Sequence, residues 1–93
     1  REECMMMMRE MRNADICTLH RGKAHIDSIE FVEPPKGDFT LWDNEATSGE
    51  KILHYRFSPT AKPFELYLNA NITRGITVEV DTDCFIRVHF SAE

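Results

Sequence analysis

The chain has 93 residues, 42% of them apolar and 29% charged, with four glycines, four prolines and a formal net charge of −5. This is the size of one domain with one modest core, and the composition excludes collagen-like, low-complexity and wholly disordered chains. The acidic balance argues against a binder of nucleic-acid phosphates, the longest apolar run (residues 4–8) is far too short to span a bilayer, and no signal-peptide pattern is visible.

Residues 1–15 differ from the rest. They hold all five methionines and seven charges, with no Gly or Pro. Met, Glu and Arg are good helix formers, and no β-branched residue interrupts them before Ile16. Met5, Met8 and Met11 are three apart and Cys4 lies four before Met8, an apolar stripe at helical spacing. A short N-terminal helix or arm is expected. Its stripe is read in three ways: cover for the parent core, an adaptable partner-binding surface, or a seam between copies.

From Ile16 the pattern changes to period two. Residues 16–20 form a short strand candidate, followed by the turn Arg21-Gly22-Lys23. Residues 24–33 read as a longer strand, with Ile26, Ile29 and Phe31 apolar. The phase slips between Ile26 and Ile29, which predicts a bulge or bend near Asp27-Ser28. Pro34-Pro35-Lys36-Gly37 is the clearest turn signal. Phe39 and Leu41 then alternate with Thr40 and Trp42, so Trp42 is out of phase with the apolar pair: it either points outward or, the preferred reading, packs under a loop or the N-terminal helix. A polar loop runs to Ser48-Gly49.

Further strand candidates follow at residues 52–57, 64–70, 76–80 and 86–90, each with alternating apolar positions. Gly75 is expected to supply a positive φ in the connection before Ile76. Seven strand candidates with turn chemistry between them indicate an antiparallel sandwich or barrel. No strand–helix alternation suggests a βαβ unit. The expected organisation is an arm over 1–15 and one β domain over 16–93.

Candidate chemistry is sparse. The three cysteines, Cys4, Cys17 and Cys84, are odd in number and scattered, which fits reduced thiols better than a disulfide framework. Asn71-Ile72-Thr73 is a formal glycosylation sequon, a triplet that arises often by chance. His20, His25, His54 and His89 show no spacing that converges on a metal, and no metal site or cofactor is expected. Asp81 and Asp83, with Asp38 or Asp43, are a candidate calcium set, but paired loop aspartates are commoner as turn formers. Cys17 with His20, or Cys84 with His89, can be drawn as nucleophile and base. Neither comes with an orienting third group or an oxyanion site, and no enzyme is expected. Trp42, Tyr55 and Tyr67 are candidates for stacking on a sugar.

Residues 24–90 resemble a loose family of small β-sandwich proteins from the virions of tailed bacteriophages. The likeness runs in order through Ile26-Asp27-Ser28-Ile29-Glu30-Phe31, a Pro/Gly turn, Phe39-Thr40-Leu41-Trp42-Asp43 and a polar loop with Ser48-Gly49. It continues through Arg74-Gly75-Ile76-Thr77-Val78-Glu79-Val80 and closes on Ile86-Arg87-Val88-His89-Phe90. The resemblance implies a jelly-roll-like sandwich and a structural role: capsid decoration, cementing between capsomers, or a head–tail accessory. It carries over no catalytic residue. On this reading the protein assembles in the bacterial cytoplasm, enters the virion as a homo-oligomer, and contacts capsid or tail proteins but neither nucleic acid nor membrane. Met5, Met8 and Met11 are then the expected interface. The competing expectation is a carbohydrate-binding module built on Trp42, Tyr55 and Tyr67.

Overall fold

The computed structural model describes residues 5–92, with side chains from residue 7 onward. They form eight strands: β1 (Met5–Arg12), β2 (Asp15–Arg21), β3 (Ala24–Glu33), β4 (Asp38–Asp43), β5 (Glu50–Arg56), β6 (Phe64–Ile72), β7 (Gly75–Val80) and β8 (Phe85–Ala92). Two four-stranded sheets result, ordered β1-β8-β3-β6 and β2-β7-β4-β5, and every pairing is antiparallel. The chain is all-β and sandwich-like.

The core lies between the two inner faces and follows from the alternation. Ile86, Val88 and Phe90 of β8, Ile26, Ile29 and Phe31 of β3, Phe39 and Leu41 of β4, and Ile76, Val78 and Val80 of β7 are all buried. Phe31 is its aromatic hub. Its ring stands 5.2 Å from Phe39 in the opposite sheet, 4.9 Å from Phe57 and 5.0 Å from Phe64. Tilted and edge-on rings at such separations add to the area buried.

The helix expected at the N-terminus is not formed over the described residues. Residues 5–12 are β1, paired residue for residue with β8 from Met5↔Ala92 to Arg12↔Phe85. The reason is tertiary. Helix propensity is worth a few tenths of a kcal/mol per residue, whereas β8 offers an unfilled edge beside an open core. Met11 faces Ile86 and is 4% exposed, and Met7, facing Phe90, packs against the same cluster. On the other row Glu10 accepts a hydrogen bond from Arg87 Nε at 2.9 Å, and the Arg12 guanidinium lies 3.7 Å from the Phe85 ring centroid. Residues 1–4, including Cys4 of the expected stripe, lie outside the described residues, as does the Met5 side chain.

The bulge expected near Asp27-Ser28 is present: the register of β3 shifts between Ile26 and Ser28 against both neighbours. The reading of Gly75 needs correction. Positive φ belongs to Gly22, Gly49, Asn13 and Asn69, not to Gly75. Gly75 is required for close approach, since a Cβ there would lie 2.9 Å from the His20 carbonyl oxygen and 3.0 Å from that of Asn44.

A strand and a helix make different demands on β1. Met11→Ala should destabilise the fold by about 2–3 kcal/mol, while Met8→Ala on the exposed row should stay within about 0.5 kcal/mol. Urea denaturation of the two variants measures the difference, and equal effects would contradict the alternation of this strand.

Candidate functional site

Three surfaces carry the residues singled out from the sequence. The first is a polar dish of about 270 Å³ on the outer face of the second sheet. Trp42, Asp38 and Thr40 of β4 point into it because Phe39 and Leu41 point the other way. The Trp42 indole N–H donates to Glu79 Oε1 at 3.3 Å, and Lys51 Nζ stands 5.2 Å from the ring centroid. Thr40 Oγ1 and His54 Nδ1 share a hydrogen bond of 2.8 Å, and Arg56 pairs with Asp38 at 3.0 Å. A half-buried indole rimmed by acids, a histidine and a lysine has the chemistry to hold a small polyhydroxylated molecule.

The second surface is an apolar groove, also about 270 Å³, where the edge strands β5 and β6 stand apart. Phe31 and Phe57 form its floor, and Leu53, Tyr55, Phe64 and Leu66 form its walls. Tyr55 belongs here, edge-on to Phe57 at 4.7 Å. Its partner Phe39 faces the core, so Tyr55 lies on the inner row of β5 while Trp42 faces outward.

The third surface is the outer face of the first sheet. Buried Ser28 donates to Glu65 at 2.6 Å, and Tyr67, 71% exposed, donates to the same carboxylate at 3.1 Å. These two bonds hold Glu65 below its usual pKa, and the carboxylate in turn raises the Tyr67 phenol. Alongside, Arg87 bridges Glu10 and Glu30, with His89 3.4 Å from Glu30. Trp42, Tyr55 and Tyr67 therefore stand on three different surfaces and form no common platform.

The aspartates act on loops. Asp43, buried, accepts the backbone N–H groups of Thr73 (3.1 Å), Arg74 (2.8 Å) and Gly75 (3.4 Å), and the Thr73 hydroxyl at 3.0 Å. Burial pushes its carboxyl pKa up, but these hydrogen bonds together outweigh burial and hold it below the usual value. Asp81 accepts from the Asp38 N–H at 2.9 Å, and Asp83 from the Ala14 N–H at 3.0 Å. Among the described residues no three His, Cys, Asp or Glu side chains gather as a metal site.

The nucleophile–base pairs drawn from the sequence are not assembled. His20 is 5.1 Å from the Phe90 ring and within 3.2 Å of the Lys23 carbonyl oxygen, while His89 faces Glu30. Cys84 is buried, and desolvation, helped by Asp83 and Glu33, pushes its thiol pKa up to about 11. Met8 is 44% exposed on β1, whereas Met11 is in the core. The Asp43 clamp was missed because its partners lie some 30 residues away, with no local spacing to mark them.

No protein-family model, no curated protein and no solved structure matches this chain.

Two outcomes follow from these geometries. Asp43→Asn should cost about 1–3 kcal/mol, because it weakens charge-assisted bonds to the backbone N–H groups of Thr73, Arg74 and Gly75. The depressed carboxyl contributes stability above its unfolded pKa, near 4, and loses it as pH falls through the folded value. Urea midpoints measured from pH 5 down to pH 2 should therefore fall less steeply in Asp43→Asn than in the parent. Cys84, as a protonated thiol, should resist alkylation by iodoacetamide at pH 8 in the native protein and react after unfolding, as read by mass spectrometry.

Proposed function

We propose that this protein is a non-enzymatic structural component of a tailed-phage virion, a capsid decoration or cement protein or a head–tail accessory. The observation that carries the reading is the strand pairing. β1 pairs with β8, β2 with β7, β3 with β6 and β4 with β5. This is the pairing of one long antiparallel ribbon wrapped on itself, with β3–β8 and β4–β7 closing the wrap. It supports a jelly-roll reading, an architecture that viral coat proteins use. The resemblance of residues 24–90 supports a structural role. The partners on this reading are capsid or tail proteins and further copies of the chain, with assembly in the bacterial cytoplasm.

A second reading, a carbohydrate-binding module, is favoured by the dish around Trp42 alone. It stands second because Lys51 covers the indole and the two tyrosines lie elsewhere.

The test is particle composition. Gradient-purified particles of a tailed phage whose genome encodes this chain should contain it at a fixed ratio to the major coat protein, measured by quantitative mass spectrometry. Particles that lack the chain would overturn the virion reading. Saccharide binding, measured by calorimetry, that is lost in Trp42→Ala with the thermal melt intact would support the second.

A further inference from the structure

The central strands of the sandwich are sealed from solvent: Ile29, Leu41, Val78 and Val88 are fully buried. The edge strands β5 and β6 are not. Leu53 and Tyr55 stand opposite Leu41 and Phe39, and Leu66 and Phe64 opposite Ile29 and Phe31, so all four lie on rows that lead into the core. Yet Tyr55 and Phe64 are exposed, and Leu53 and Leu66 are only half-buried. These rows flank the groove of about 270 Å³ whose floor is Phe31 and Phe57.

The groove is braced from behind. The Phe57 N–H donates to the Gly37 carbonyl at 2.8 Å, which pins that floor ring to the β3–β4 turn. Tyr55 stands edge-on to Phe57 at 4.7 Å, and Phe64 stacks on Phe31 at 5.0 Å. Each wall ring therefore already has a floor ring to pack on and gains little by falling into the groove. Phe57 and Phe64 are 6.0 Å apart, so the chain itself closes one end, and the opening lies towards Leu53 and Leu66.

The lining selects the chemistry of a guest. None of its six side chains is charged, and the Tyr55 hydroxyl is their only polar group. A buried ion or polyhydroxylated molecule would lose its hydration there and regain one hydrogen bond at most. A peptide segment would bring N–H and C=O groups for which these side chains offer only that hydroxyl. An apolar body has nothing to leave unpaired, and it would take the exposed parts of Tyr55 and Phe64 out of water. Size agrees: a dry cavity of about 150 Å³ holds benzene, so this groove has room for a somewhat larger guest.

We propose that the groove between β5 and β6 binds a small apolar molecule, a bicyclic aromatic or a short alkyl chain, with any polar group left at the mouth. The inference goes beyond the virion reading and does not depend on it.

The test uses the full chain and 1-naphthol as the probe. Calorimetric titration should saturate at one molecule per chain, and excess glucose should not displace it. In the parent, the methyl NMR signals of Leu53 and Leu66 should shift during the titration, while those of Leu19 on β2 should not. Leu66→Glu places a carboxylate in the wall and should weaken binding at least about tenfold, with a thermal melt confirming that the variant folds. Ile16→Ser removes an exposed apolar side chain from β2, outside the groove, and should bind as the parent does. No saturable binding, shifts that reach Leu19 equally, or undiminished affinity in a folded Leu66→Glu overturns the inference; if Leu66→Glu does not fold, the parent's methyl shifts decide. Naphthol uptake that falls as the chain self-associates with concentration, followed by light scattering, would show a second copy covering the groove and would also overturn it.

Discussion

The aromatic contact of Phe31 with Phe39 across the sheets is the constraint on which the rest of the molecule depends. A sandwich of two four-stranded sheets is stable only if both inner faces are sealed against each other, and here large rings provide the seal at one end. Phe31 also stacks on Phe64, and Phe57 approaches Tyr55, so the same cluster runs outward between β5 and β6. The apolar groove is the outer end of the core. The polar dish and the charged outer face exist because the alternate residues of these strands have no place in that seal.

A second constraint sits at the opposite kind of chemistry. The buried Asp43 carboxylate holds the β6–β7 connection through backbone N–H groups, and Gly75 lets that connection pass close to the carbonyls of His20 and Asn44. Hydrophobic sealing sets how the sheets face each other. The carboxylate sets where one strand leaves the first sheet and the next enters the second. Between them they leave four edge strands, β1 and β6 in the first sheet and β2 and β5 in the second.

Much of this was legible in the residues. The seven strands from residue 15 onward follow period two because one face of each meets the core, and the phase slip at Asp27-Ser28 marked a real bulge. The phase of Trp42 against Phe39 and Leu41 was readable, but the preferred reading put the indole under a loop or the N-terminal helix rather than on the outer face, where it lines the polar dish. β1 was not readable. Methionines occupy both of its rows, so the alternation that separates Met7 and Met11 from Met8 is invisible, while residues three apart mimic a helical stripe. Pairing with β8, more than seventy positions away, decides the matter. Asp43 was noticed only as an optional member of a disfavoured calcium set, because a clamp built on distant backbone amides has no sequence signature. The bulge at Ile52 did leave a trace, in two adjacent apolar residues, Ile52 and Leu53, that a strict alternation would separate.

The pairing of β1 with β8 has a consequence for how the molecule comes into being. Met5 cannot find Ala92 until nearly the whole domain has left the ribosome. The strand nearest the N-terminus is thus among the last to dock, and its methionines stay in solvent through most of synthesis. Folding that waits on such a long loop closure is intrinsically slow.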